Sequence, residues 1–175
     1  MTYGEYRRVK PRMNILRGYT GNEPQSLTFS AKPKDGEAIK SGMLIVLDTN
    51  GQWVKCDSAS HGGLVPFFAF QDQSDTDVQS SGLLLGLSCL GDFELQTAYF
   101  DNTDTWVNGS PVTKGTGALV GSVDKGASFL AAVETVGVAS RTGMEDIVAI
   151  NSEATPVGGH MYVLNLVTRW KPATA

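Results

Sequence analysis

Nowhere along the 175 residues do apolar side chains recur at the three-to-four-residue spacing of an amphipathic helix for more than a short piece. They come instead in runs of a few residues rich in Val, Leu, Ile, Phe and Thr, cut by Gly, Asn, Asp and Ser. The runs are SLTFSA (26–31), GMLIVLD (42–48), QWVKCD (52–57), VPFFAFQ (65–71), GLLLGLSCL (82–90), DFELQTAYF (92–100), ALVGSV (118–123), VETVGVAS (133–140), DIVAINS (146–152) and HMYVLNLVTRW (160–170). Short strands at this spacing, with turn residues between them, predict an all-β fold, a small β-barrel or β-sandwich. Helix is expected only as short pieces, in TDVQSSGL or SFLAAVET. No long repeat is visible in the letters.

The organisation follows from where the pattern fails. Residues 1–24 are basic, with Arg7, Arg8, Lys10, Arg12 and Arg17 set against Glu5 and Glu23, and are interrupted by Pro11 and Pro24. They read as an extended N-terminal arm, residues 25–170 as a single β domain, and residues 171–175, KPATA, as a frayed tail. Within the arm, Tyr3, Tyr6, Arg7, Arg8 and Arg12 combine hydrogen-bonding aromatic rings with guanidinium groups. Those residue types anchor interfaces, so these five are the expected partner contacts.

A formal net charge of −4 argues against a broad nucleic-acid footprint, which needs a basic face. No apolar run has the length of a membrane-spanning helix, and MTYGEYRRVKPRM lacks the apolar core of a secretion signal. The two cysteines, Cys56 and Cys89, each lie in an apolar run and are expected as reduced, buried thiols. With only two cysteines and two separated histidines, His61 and His160, a zinc centre is not expected.

SGMLIVLDTNGQWVKC (41–56) raises a catalytic possibility, because an apolar run ending in Asp-Thr near a Gly resembles the aspartic-protease triplet. That chemistry needs Asp-Thr-Gly contiguous and a second carboxylate sharing a proton, and here Asn50 intervenes. The same letters form a hairpin if Asn50 and Gly51 are the central residues of a type I′ turn. Leu47 would then face Val54, and Ile45 would face Cys56, giving one apolar and one more polar face. On that reading Asp48 is scaffolding.

The remaining motifs are weaker. GLSCLG (86–91) places Leu90 where a serine-hydrolase elbow needs a second Gly, so Ser88 is expected as a strand serine. KGTGALVGSVDKG (114–126) matches neither a dinucleotide fingerprint nor a P-loop, and its glycines are expected in turns and bulges. QDQSDTDVQ gathers Asp72, Asp75 and Asp77, hard oxygen ligands of the kind calcium takes. It lacks the EF-hand spacing and is expected as a solvated loop. No catalytic residue, cofactor or metal ligand is therefore assigned, and an enzyme is not expected.

The order of the phrases carries a resemblance. GEAIKSGMLIVLDTNGQWVKC, with its A-I-x-x-G-M phrase before a hairpin, resembles a segment of tailed-phage head-decoration (capsid cement) proteins. WVNGSPVTKGTGALVGS is similar to the matching later phrase, and ETVGVAS to the strand that tends to follow. VPFFAFQDQSDTDVQSSGLLLGLSCLGDFELQTAYF is similar to head proteins encoded beside capsid genes. The resemblance spans roughly residues 37–140. It implies a structural virion protein, made in the bacterial host cytoplasm, that sits on the outer surface of an assembled capsid and bridges capsomers. Its partners would be the major capsid protein and copies of itself, as a trimer first and a dimer second, with no membrane or direct nucleic-acid contact. The family has no catalytic residues to transfer. The alternatives are a tail or baseplate β-domain, and a small β-barrel binding protein or enzyme.

Overall fold

In a computed structural model of the chain, the described residues are 13–18, 28–70, 73–74, 82–90, 93–101, 103–126, 133–140 and 164–173. They form an all-β structure of β1 (Met13–Gly18), β2 (Thr28–Ala31), β3 (Ala38–Ile39), β4 (Leu44–Leu47), β5 (Trp53–Lys55), β6 (Phe67–Ala69), β7 (Gln73–Ser74) and β8 (Leu84–Ser88). These are followed by β9 (Phe93–Thr97), β10 (Pro111–Lys114), β11 (Val123–Lys125), β12 (Thr135–Ala139) and β13 (Leu164–Lys171). One sheet runs β2-β8-β6-β4-β5, a second runs β1-β9-β13-β12-β10-β11, and β3 pairs with β7. Of the expected arm, Met13–Gly18 lies antiparallel on β9; the five contact residues Tyr3, Tyr6, Arg7, Arg8 and Arg12 lie outside the described residues.

In each large sheet the chain leaving the first strand of the five crosses to the edge strand on the far side. The chain leaving β2 crosses to β5: Trp53 N donates to Lys32 O (2.8 Å), Lys34 N donates to Trp53 O (2.9 Å), and Pro33 forms a parallel bridge with Trp53. Proline is tolerated there because its flanking residues supply the bonds. The chain leaving β9 does the same to β11. Val123 N donates to Tyr99 O (3.0 Å), Asp101 N donates to Val123 O (2.9 Å), and Phe100 bridges Val123 in parallel.

These are two instances of one topology. Labelling the strands a to e in chain order, β2, β4, β5, β6 and β8 are arranged a-e-d-b-c, and so are β9, β10, β11, β12 and β13. The registers correspond pair by pair. Ile45 faces Lys55 as Val112 faces Lys125, Leu44 faces Phe68 as Pro111 faces Val138, and Ala69 faces Gly86 as Ala139 faces Leu166. The turns correspond too, since Met43 N donates to Lys40 O (3.0 Å) and Ser110 N to Val107 O (2.9 Å), around Gly42 and Gly109 with φ of 91° and 83°. The repeat is structural and does not show in the letters. Over the corresponding strands and this turn, only Gly42/Gly109, Lys55/Lys125, Ala69/Ala139 and Leu84/Leu164 keep the same residue. Packing is conserved by exchange instead. Phe67 and Gly86 in the first unit become Gly137 and Leu166 in the second, large against small and then small against large.

The units share a core. One buried cluster takes Leu44, Val46, Val54, Cys56, Phe68 and Leu87 from the first unit and Leu95, Phe100, Val112, Val123, Leu164 and Leu166 from the second. A smaller cluster, with Ala31, Ile39, Ile45, Trp53, Ala69 and Leu84, lies on the other face of the first sheet. Backbone bonds from Leu44 N to Gly121 O (2.7 Å) and from Gly121 N to Cys56 O (3.0 Å) join the units at the seam.

The β4–β5 hairpin turns at Asn50-Gly51 as expected, but one residue out of the expected register. Leu47 faces Trp53, Val46 faces Val54 and Ile45 faces Lys55. Only Gly51 has positive φ (71°), so the turn is not type I′. Asp48 N donates to Gln52 O (2.9 Å) and Gly51 N to Asp48 O (3.0 Å), closing a three-residue loop with glycine in the left-handed position. The one-residue slip exchanges faces. Val54 and Cys56 join Leu44 and Val46 in the shared core, while Ile45, Leu47 and Trp53 line the second cluster, so both faces of the hairpin are apolar. The strand expected over 118–123 is also corrected. Gly117–Leu119 is a 3-10 turn, held by Leu119 N to Thr116 O (3.0 Å) and Ser122 N to Leu119 O (2.7 Å), and the strands are β10 and β11 on either side. β10, sequence PVTK, escapes the apolar-run test because Val112 is its one aliphatic residue.

Candidate functional site

A buried ion pair is the most concentrated polar feature among the described residues. Lys114 ends β10 with its side chain fully buried, and its Nζ lies 2.6 Å from Glu134 Oε1. The same ammonium donates to His61 O (2.9 Å) and Leu64 O (3.1 Å). Lys has three donors, and all three are engaged. Glu134, just before β12, also accepts from Trp170 Nε1 (3.0 Å) and from Gly63 N (3.4 Å). The pair thus fastens the 57–64 loop of the first unit to β10, β12 and β13 of the second. Beside it opens a pocket of about 570 Å³ lined by residues including Ser58, Gly62, Thr113, Glu134 and Pro172.

Three carboxylates converge elsewhere in the second unit. Oxygens of Asp101, Asp104 and Asp124 lie within 4.8 Å of one another, a set of hard donors of the kind Ca²⁺ or Mg²⁺ takes. Asp101 Oδ1 already accepts from Thr103 N and Thr103 Oγ1, both at 2.7 Å. Burial pushes the Asp124 carboxyl above its usual range, Lys125 N–H pulls it back, and the neighbouring Asp101 and Asp104 charges raise it further.

The residues singled out from sequence fall in several places. Asp48 is a turn cap: its Oδ1 accepts from Asn50 N (2.8 Å) and Gln52 N (2.9 Å). Those bonds, chiefly the one from Gln52, hold its carboxyl below the usual range. Ser88 is buried in β8, its Oγ accepting from Leu90 N (3.2 Å). Cys56 and Cys89 are free and buried. Burial pushes the Cys56 thiol up to about 12 and raises Cys89 as well. His61 caps its own loop, accepting at Nδ1 from Asp57 N (3.0 Å). Asp72, Asp75, Asp77 and His160 lie outside the described residues.

Sequence reading missed Lys114 and Glu134. Its one available signal was a lysine closing an otherwise uncharged strand, PVTK, which reads equally well as a solvated strand end. No protein-family model, curated protein or solved structure matches the chain.

Proposed function

We propose that this chain is a structural protein of a tailed-phage head, binding the outside of the assembled capsid and bridging neighbouring capsomers. One observation carries the reading. The two sequence phrases that resemble decoration proteins, around residues 37–56 and 106–122, fall on corresponding parts of the two units: a turn at Gly42 or Gly109, then a strand and a loop, with the return strand inside the first phrase and directly after the second. Both phrases therefore lie on the same structural element of this chain. Two β units fused through one core make a rigid body able to span adjacent sites. A bridge of this kind stabilises a lattice by mass action, because it binds the assembled form and not free subunits. Several modest contacts per copy suffice, since each raises the effective concentration of the next.

The experiment is to strip the protein from filled heads and add it back. Stripped heads are expected to break at lower temperature and under milder osmotic shock, and re-addition to restore them. Equal robustness without the protein, or binding confined to tails, would overturn the reading.

A further inference from the structure

The sequence contains two Asn-Gly dipeptides, Asn50-Gly51 in the β4–β5 loop and Asn108-Gly109 in the turn that enters β10, and all four residues are exposed. Glycine has no side chain to crowd its amide nitrogen, so that nitrogen can reach the side-chain carbonyl of the asparagine before it. It attacks Cγ, the Cγ–Nδ2 bond breaks, and ammonia leaves a five-membered succinimide. Water then opens the ring at one carbonyl or the other. One opening gives aspartate. The other gives isoaspartate, in which the main chain runs through the former side chain and gains a methylene. Water is the only co-reactant.

The glycine nitrogen must let go of its acceptor to react, so what holds each glycine N–H decides which site is reactive. Gly51 N donates to Asp48 O (3.0 Å) inside the three-residue loop. The loop is tied further by Asp48 N to Gln52 O (2.9 Å) and by two bonds to Asp48 Oδ1, from Asn50 N (2.8 Å) and Gln52 N (2.9 Å). Thr49, Asn50 and Gly51 are exposed, so this loop opens locally without giving up a strand. Gly109 N is held differently. It donates to Ala139 O (2.9 Å), and Ala139 N donates to Ser110 O (2.9 Å), which continues the β10–β12 ladder. Ser110 is buried, and its Oγ accepts from Val107 N (3.0 Å). Freeing Gly109 means parting two strands whose Val112 and Ala139 lie in the shared core.

We infer that Asn50 is a site of spontaneous deamidation governed by the Asp48 turn, and that the sheet holds Asn108 unreactive. The product acts on the hairpin. Isoaspartate at position 50 lengthens the main chain between Asp48 and Gln52, the pair that closes the loop, and sets a second carboxylate beside that of Asp48. β5 carries buried Trp53 and Val54, with Cys56 just beyond, so a misfitting loop is felt in both apolar clusters. The hairpin is then the part of the molecule that ages. None of this depends on the capsid reading, and the test uses the chain alone.

The folded chain is incubated in mildly alkaline buffer, sampled over time and digested. Mass spectrometry follows the peptides holding residues 50 and 108, and methylation by an isoaspartyl methyltransferase identifies isoaspartate. In denaturant the two asparagines are expected to react at similar rates, since each then precedes a free glycine. In the folded chain Asn108 should lag Asn50 by about ten-fold or more, because only strand opening frees its neighbour. Asp48→Ala removes the carboxylate that ties the loop, so it should speed reaction at residue 50 and leave residue 108 as it was. Aged parent protein should melt earlier than fresh protein. Asn50→Gln, whose ring would be six-membered and slow to close, should lose that drift. Equal rates at the two sites in the folded chain, or no isoaspartate at residue 50, would overturn the inference. So would a rate at residue 50 that Asp48→Ala leaves unchanged, or ageing that persists in Asn50→Gln.

Discussion

Leu47 and Lys114 occupy the same place in the two units. Each is the last residue of the second strand of its unit, and they face Trp53 and Val123, which also correspond. Leu47 packs against the smaller apolar cluster, whereas Lys114 buries a charge at the junction between the units. The second unit has thus exchanged a packing position for an ionic fastening that reaches across to the first.

Lys114→Met is expected to destabilise by about 3–5 kcal/mol in urea denaturation, because it strands the Glu134 carboxylate in a nearly closed site. The His61 and Leu64 carbonyls also lose their donor. Adding Glu134→Gln should recover part of the loss, since glutamine can still accept from Trp170 Nε1 and leaves no unpaired charge. If the two effects simply add, the pair is not coupled as described.

Gly86 and Gly137 are expected to resist alanine for different reasons. A Cβ at Gly86 would stand 2.9 Å from Trp53 Cη2 and Cζ2 and 3.2 Å from Phe67 Cβ. Gly86→Ala should cost about 1–3 kcal/mol by overpacking, and less in a Trp53→Phe background, which lacks those two ring atoms. A Cβ at Gly137 would meet the Val167 carbonyl, which is backbone, so no side-chain change should rescue Gly137→Ala. Thermal melts of the single and double variants separate the two cases.

Native Cys56 and Cys89 should not react with a thiol reagent at neutral pH. Both are 0% exposed, and burial holds them as thiols, Cys56 up to about 12. Reagent added with denaturant should titrate both. Fast reaction of either in the native state would mean that the core around the hairpin opens.

The strand content was legible because it rests on local chemistry. Runs such as GMLIVLD and GLLLGLSCL contain β4 and β8. The hairpin register was not legible, because LIVL is apolar at every position and alternation alone cannot choose its buried face. What decides it is the Asp48 carboxylate, which accepts two backbone N–H groups and makes Asp48 and Gln52 the closing pair of the loop. The repeat escaped for a related reason. Its units are matched by backbone register, while side chains trade places, as Phe67 and Gly86 do with Gly137 and Leu166. Lys114 and Glu134 meet only in the fold, on either side of the β10–β11 loop and a further stretch of chain.

Two carboxylates should give opposite pH signatures, and their signs follow from linkage. Asp48 is held below its ordinary value of 3.8 by the turn amides, so the folded state favours its charged form. Its contribution is present above 3.8 and is lost as pH falls through the lower folded value. Asp48→Ala should therefore melt earlier than the parent at neutral pH, with the gap closing in acid. Asp124 is raised above 3.8, chiefly by burial and then by Asp101 and Asp104, so folding favours its protonated form. Here stability is present below 3.8 and is lost as pH rises through the raised folded value. Asp124→Asn keeps an oxygen for the Lys125 N–H, now accepted at 2.7 Å, and removes one of three crowded charges. It should melt slightly later than the parent at neutral pH, by less than about 1 kcal/mol for a partly buried group still screened by solvent, and should lose that advantage in acid. Melting curves of both variants across the acid range test the pair, and a gap of the wrong sign at neutral pH would remove the electrostatic role assigned to that residue.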